Sequence, residues 1–358
     1  MSMQPVSAEE VAEAVCAHPH VAAVGGGSKK DLVGAGERIE LSKLSGITEY
    51  EASEYTITAK AGTPVREVKA ALQAKGQYLP FDPLFVESGA TLGGTVASGL
   101  SGPGRFRFGG LRDFIIGVQF VDGKGRLVRS GGKVVKNAAG FDLPKFLVGS
   151  LGRLGILTEV TFKVFPAPED PCTFRIACPD HCAARDRLAF LAGVPWEADA
   201  LDYDAAARVL HVRYCTGMQL ALSLEMNGRW PGEVEQLRAE EAERIWEATR
   251  EMKWVGPDEA LAKIAMTPRR LPEFQERVEQ IGGGKAWYSS GGALAWYAFG
   301  SDRLEVVESA LEELEFSGLA VRGREGESSS PLLGRKNGAR IVSDVKTALD
   351  PEGRFPAF

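Results

Sequence analysis

The sequence predicts an α+β protein of two domains, and three observations carry that prediction. Short strand-like runs and capped helices follow one another through the first 165 residues. A proline-rich break, Pro166-Ala-Pro168-Glu-Asp-Pro171, then interrupts the chain. Beyond it the texture changes to a long charged helix pattern and aromatic strands, and 358 residues exceed one typical domain.

The elements follow in order. Ser7 and Glu10 form a capping-box pattern that opens a helix running to about Ala17. Val21 to Val24 reads as a short strand that feeds directly into Gly25-Gly26-Gly27. Ile39 to Leu41, Gly46 to Glu51 and Tyr55 to Ala61 alternate as strands do. Thr63-Pro64 opens a helix with proline at the first helical position, and Gly76 closes it. Thr91 caps a short helix to Leu100. Ile115 to Val121 and Arg126 to Arg129 bracket Asp122-Gly123-Lys124-Gly125 as a hairpin. Asp142 caps another helix, and Ile156 to Phe165 is a long strand.

Past the linker, Arg208 to Tyr214 and Leu220 to Met226 read as strands, and Gly232 to Met252 as one amphipathic helix. Ala286 to Phe299 is aromatic and strand-like, with a glycine break at Gly291-Gly292. Helices follow at Arg303 to Glu315 and Ile341 to Leu349, with a polar loop over 325–330 between them.

Composition excludes several classes. A net charge of −6 and a pI near 5.5 argue against general nucleic-acid binding. No apolar run reaches the ~18 residues needed to span a bilayer. The N-terminal MSMQPVSAEEVAEAV is acidic and polar, unlike a targeting peptide. Five cysteines fit free thiols, so a cytoplasmic location without direct membrane insertion is expected.

Several motifs are missing: G-x-G-x-x-G after a strand, G-x-x-x-x-G-K-[ST], H-E-x-x-H and G-x-S-x-G. Three glycine clusters stand in their place. Gly25-Gly26-Gly27-Ser28-Lys29 ends a strand and suits a phosphate cradle, because consecutive glycines can turn several N–H groups toward one anion. Gly89-Ala90-Thr91-Leu92-Gly93-Gly94-Thr95 lets backbone approach a flat ligand at a helix start. Gly149, Gly152 and Gly155 mark a third close approach. Any one cluster is better explained by a turn or tight packing; three together favour a ligand.

Residues Ser101 to Gly117 (SGPGRFRFGGLRDFIIG) and Val135 to Val164 are the most distinctive, supported by Pro80 to Pro83 (PFDP), Arg244 to Glu251, Ser289 to Tyr297 and Val345 to Gly353. On these segments the chain resembles the FAD-binding (E) subunit of bacterial glycolate oxidase, within the PCMH-type or vanillyl-alcohol-oxidase-like superfamily. The resemblance implies a PCMH-type FAD-binding domain over residues 1–168 and a smaller α/β cap over 169–330. Residues 331–358 would return to the FAD domain. It implies that Gly25, Gly26, Gly27, Ser28 and Lys29 hold the FAD pyrophosphate, with Pro80 and Asp82 near the ligand. Gly89, Ala90, Thr91, Gly93, Gly94, Thr95 and Ser98 would follow the pyrophosphate and flavin, with Gly155 and Ile156 offering backbone groups to the ring or the neighbouring chain. FAD is expected to be non-covalent, since His18, His20, His181 and His211 all lie outside the glycine loops and no cysteine lies within them.

The activity implied is an FAD-dependent oxidoreductase acting on the CH–OH of a 2-hydroxy acid. Glycolate would become glyoxylate within a complex containing a larger FAD-binding catalytic subunit and an iron–sulfur subunit. Two alternatives stay open: a non-catalytic FAD-holding assembly or electron-transfer subunit, and a stand-alone PCMH-type oxidase of another alcohol. Three departures bear on independent catalysis. The chain has no H-x-G-D-G-N-x-H motif, it ends GRFPAF, and Phe141 stands where tyrosine is common, removing a hydroxyl near the flavin.

Arg105, Arg107 and Arg112 suit a substrate carboxylate, since a guanidinium fork matches it bidentately. FAD phosphate, a partner subunit or solvent would serve them equally, and Asp113 is expected to pair with one of them. Lys136-Asn137 either touches the flavin edge or shapes its loop. Cys172, Cys178, His181 and Cys182 have no standard metal-site spacing, so no metal is expected there. The aromatic run Trp287, Tyr288, Trp296, Tyr297 and Phe299 is expected to form core.

Overall fold

The computed structural model describes residues 3–132, 141–215, 217–324 and 330–358. Near the N-terminus, α1 (Ala8–Ala17) starts where the Ser7 hydroxyl accepts the Glu10 N–H at 3.2 Å. Its Val11 and Val15 are buried. Strand β1 (Val21–Val24) pairs in parallel with β2 (Glu37–Glu40).

A five-stranded antiparallel sheet follows. It uses β3 (Ile47–Glu51), β4 (Thr56–Lys60), β6 (Ile115–Val121), β7 (Leu127–Gly131) and β8 (Ile156–Lys163) in the order β3-β4-β8-β6-β7. The turn between β6 and β7 is held by the buried Asp122, whose Oδ1 accepts the N–H groups of Lys124 and Arg126, both at 2.9 Å. Helix α2 (Val65–Gln73) begins one residue later than expected, with Pro64 as its cap, because the Thr63 hydroxyl is engaged with the Lys60 and Gly46 carbonyls. Strand β5 (Gln77–Tyr78) pairs with β9 (Phe165–Pro166). Between β5 and β6 lie α3 (Leu92–Ser98), capped by Thr91, and the one-turn α4 (Arg105–Phe108). Helix α5 (Leu143–Leu147) is capped by Asp142.

The remaining strands make one nine-stranded antiparallel sheet. They are β10 (Cys172–Ala177), β11 (Ala200–Asp204), β12 (Val209–Tyr214), β13 (Val234–Gln236) and β14 (Glu259–Ala265). Strands β15 (Lys285–Ser289), β16 (Leu294–Gly300), β17 (Ser317–Arg322) and β18 (Leu332–Gly334) complete it. The order is β13-β10-β12-β11-β15-β16-β14-β17-β18. Helices α6 (His181–Gly193), α7 (Gln219–Arg229), α8 (Ala239–Arg250), α9 (Leu271–Gln280) and α10 (Leu304–Glu313) connect them, and α11 (Ala339–Leu349) follows.

Two expectations are corrected here. Leu220 to Met226 is not a strand but part of α7. Its period-two apolar pattern misled because only Leu222 and Met226, one helical turn apart, are buried, while Leu220 and Leu224 face outward. The helix expected over Gly232 to Met252 is β13 followed by α8, since Val234 to Gln236 pairs with β10.

Packing crosses the two large sheets. Phe81, Phe120 and Phe162 share one apolar cluster with Leu261, Trp287 and Trp296 from the nine-stranded sheet. Each such side chain contributes about 1.5–3 kcal/mol on leaving water. The aromatic run is interior: Trp287, Tyr288, Trp296, Tyr297 and Phe299 are all buried. The last residues pack on the first half of the chain. Phe355 is buried with Val11, Val15, Val21 and Ile156, and one Arg354 nitrogen donates to the Val15 and His18 carbonyls at 2.9 and 2.8 Å.

Candidate cofactor-binding site

One open cleft gathers the three glycine clusters. The end of β1 delivers Gly25, Gly26, Gly27, Ser28 and Lys29 to one wall. Thr91, Gly93, Gly94 and Ser98 form a second along α3, and Gly152, Gly155 and Ile156 a third at the start of β8. Parallel pairing of β1 with β2 stops at Val24, so the chain that follows is released from the ladder.

The glycines there do two jobs. A side chain on Gly26 would stand 1.8 Å from the Gly89 carbonyl oxygen, and one on Gly25 would meet the Thr91 hydroxyl at 2.4 Å. These two loops therefore touch backbone to backbone. Gly27 differs: nothing lies within 4 Å of where its side chain would point, and its φ of +75° is the left-handed conformation that glycine adopts freely.

Among the described residues, the N–H groups of Gly26, Gly27 and Ser28 reach no protein acceptor. Lys29 sits beside them, its ammonium 3.1 Å from the Ser28 hydroxyl and 5.3 Å from the Phe85 ring centroid. Burial lowers its pKa to about 8, offset in part by the Glu251 carboxylate. Successive free backbone donors beside a cation are what a diphosphate requires. Apolar residues Leu32, Leu41, Ala97 and Leu157 line the rest and suit a flat ring system.

Five expected site residues stand outside this wall. Gly89 supports it from behind, beneath Gly26. The Ala90 carbonyl accepts the Val65 N–H at 2.8 Å, and Thr95 turns its hydroxyl back to the Thr91 carbonyl at 2.9 Å. Pro80 is buried in the turn after β5. Asp82 is committed to an interior ion-pair network: its Oδ2 lies 2.7 Å from Arg213 and accepts the Gly104 N–H at 2.8 Å. Arg213 in turn binds Asp199 at 2.7 Å. Burial opposes ionising Asp82, yet Arg213 and Arg250 hold it below the usual carboxylate range. At Asp199 burial wins and raises the pKa.

The arginines do not converge on the cleft. Arg107 pairs with Glu197, Arg112 is exposed, and the Arg105 guanidinium lies by Gly110. Asp113 caps Gly110 at 2.9 Å and, among the described residues, joins no arginine, which corrects that expectation. Phe141 is exposed against Phe146, and Lys136-Asn137 lies outside the described residues. His181 Nδ1 meets the Tyr203 hydroxyl at 2.8 Å; among the described residues no group of three or more His, Cys, Asp or Glu is placed to hold a metal ion.

Sequence reasoning missed the apolar wall and Arg153. The buried Arg153 ties Leu32, Leu151 and Ala357 together through their carbonyls. A lone arginine within a glycine-rich run was the available signal.

Residues 2–131 match the family described as FAD binding domain, and the chain carries such a PCMH-type domain and binds FAD. The glycolate oxidase subunit GlcE of Escherichia coli (strain K12) is 42% identical over 153 residues, covering 42% of this chain and 44% of that one. The glycolate oxidase subunit GlcD of Bacillus subtilis (strain 168) is 34% identical over 161 residues, covering 43% and 34%. A D-lactate dehydrogenase of Anaerostipes hadrus is 31% identical over 175 residues, covering 47% and 36%. The chain thus covers less than half the length of these relatives. A solved alkyldihydroxyacetonephosphate synthase superposes with a TM-score of 0.70 at 15% identity, over 98% of this chain and 74% of that one. The fold is the vanillyl-alcohol-oxidase type.

Proposed function

We propose that this chain is the FAD-holding subunit of a 2-hydroxy-acid oxidoreductase complex that oxidises glycolate to glyoxylate. The observation that carries this reading is the cleft in which three glycine clusters converge within and beside an FAD binding domain, in a chain 42% identical over 153 residues to a glycolate oxidase subunit. Bound FAD supplies a two-electron acceptor. The N–H groups of Gly26, Gly27 and Ser28 bind its diphosphate, and Lys29 neutralises part of the charge. Gly93, Gly94 and Ser98 line the path toward the ring, with Leu157 and Ile156 excluding water. The partners are a larger flavoprotein subunit and an iron–sulfur subunit, and the assembly meets a membrane through them. No described helix is long and apolar enough to cross one. Residues 1–168 serve as the FAD domain and 169–330 as the cap; within the returning segment 331–358, β18 still belongs to the cap's sheet and the return is made after it.

A second reading, an assembly or electron-transfer subunit whose partner performs the chemistry, is favoured by the dispersal of Arg105, Arg107 and Arg112 away from the cleft. Anaerobic glycolate addition to the purified flavoprotein, alone and in its complex, separates the two. Bleaching of the chain alone supports oxidation at this flavin. Bleaching only in the complex supports the second reading, and none in either removes glycolate as the substrate.

A further inference from the structure

The glycine cleft is held from behind by a helix of the other sheet. Helix α8 packs on β10 of the nine-stranded sheet, where the Trp246 indole N–H donates to the Thr173 hydroxyl at 2.9 Å. Its C-terminal cap, Glu251, turns the other way, toward the backbone between β5 and α3. One carboxylate oxygen accepts the Glu87 N–H at 3.0 Å. The other accepts the Ser88 N–H at 3.2 Å and the Ser88 hydroxyl at 2.9 Å. The Arg250 carbonyl accepts the Phe85 N–H at 3.1 Å, so this helix end holds the amides of Phe85, Glu87 and Ser88 together.

Two features set this joint apart from an ordinary surface contact. A carboxylate at a helix C-terminus meets the negative end of the helix dipole, at a cost of about 0.3–1 kcal/mol that its bonds to the loop offset. Phe85 keeps a φ of +60°, which costs a residue with a side chain about 1–2 kcal/mol. The loop is therefore held in a conformation it would not keep alone.

That loop ends at the cleft. Gly89 follows Ser88 directly, and its carbonyl lies beneath Gly26 with no room for a methyl group between them. The Phe85 ring centroid stands 5.3 Å from the Lys29 ammonium. Burial lowers the Lys29 pKa, and the Glu251 carboxylate opposes that shift. The other charges around this segment are engaged or face water. Asp31 accepts the Gly323 N–H, Lys253 pairs with Glu247, and Lys30 and Glu87 are exposed.

We propose that Glu251 is a positioning residue for the FAD diphosphate: it fixes the height of the Gly26 loop through Ser88 and Gly89, and its charge partners Lys29 across the Phe85 ring. The inference rests on the reading that the glycine cleft holds FAD. Because α8 packs on the nine-stranded sheet, FAD affinity is tied to how that sheet docks on the glycine loops, and the coupling is reciprocal.

The test is the FAD affinity of the full chain, from flavin fluorescence across about pH 6 to 9, with urea denaturation of each apoprotein to verify folding. Glu251→Gln keeps the side-chain length but loses the charge and one of two acceptors. Its FAD binding should weaken about fivefold or more, the worth of one hydrogen bond. Without the carboxylate Lys29 loses its proton earlier, so affinity should begin to fall at a lower pH than in wild type. Glu251→Asp keeps the charge but falls one methylene short of the loop, so binding should weaken while the pH profile stays in place. A carboxylate that merely stood near a diphosphate would repel it. Tighter or unchanged FAD binding in Glu251→Gln therefore overturns the proposal, and so does an unmoved pH profile. Should the helix variants unfold, Ser88→Ala trims the loop side of the joint and leaves α8 intact, and FAD binding as tight as wild type there overturns the proposal. Failure of the underlying reading is distinct: a wild-type chain without FAD affinity, or a folded Gly26→Ala chain that binds as tightly as wild type, removes the cleft assignment and this inference with it.

Discussion

Gly26→Ala puts one methyl group where the two glycine loops meet. The added carbon would lie 1.8 Å from the Gly89 carbonyl oxygen and 2.9 Å from its carbon, against a practical limit of 3.0 Å. Both sides of the clash are backbone, so no rotamer relieves it and one loop must retreat by about 1.2 Å. A retreat of that size takes N–H donors out of hydrogen-bond range, since such bonds work within roughly 2.7–3.2 Å. Losing two charge-assisted bonds to a diphosphate costs about 3 kcal/mol or more, on the order of 150-fold in affinity. Gly27→Ala is the matched control: it meets open space and bears only the left-handed strain at φ +75°, about 1–2 kcal/mol. FAD dissociation constants from flavin fluorescence, with circular dichroism of the apoproteins to verify folding, make the measurement. A folded Gly26→Ala protein that binds FAD as tightly as wild type would refute the loop-contact argument and the site with it.

Other consequences are equally direct. Lys29, with a pKa of about 8, loses its charge as pH rises through that value, so FAD affinity should fall between pH 7 and 9. Lys29→Met should bind more weakly and flatten that dependence in the same fluorescence titration. Removing Arg213 leaves Asp82 and Asp199 without their shared cation, and Arg213→Met should cost about 3–5 kcal/mol in urea denaturation. Buried Asp202, held by Trp287 and Ser289, has its pKa raised by burial from 3.8 to about 6. The folded state therefore holds the proton more tightly. Its contribution is complete below about pH 4 and is lost as pH rises through 6, on the order of 3 kcal/mol. Asp202→Asn should flatten that part of the stability profile, measured by denaturation at each pH.

Most of the first half was legible locally. Caps at Ser7, Thr91 and Asp142, the hairpin closed by Asp122, and the strands around them depend on residues within a few positions of one another. The second half was harder to read. Strands β10, β11, β14 and β17 and helices α6 and α9 carried no strong local signal, and α7 imitated a strand because its buried pair and its exposed pair, each one helical turn apart, interleave to put an apolar residue at every second position.

The candidate site divides along the same line. Local sequence determined where the chain turns sharply: three glycine clusters, one capped helix start, one lysine after a strand. Only the tertiary structure decided that Gly26 lies on Gly89, that Asp82 faces Arg213 instead of the cleft, and that the arginines scatter. Each of those outcomes joins residues far apart in the chain. Their pairing depends on which apolar faces meet in the shared core, and no short-range pattern encodes that choice.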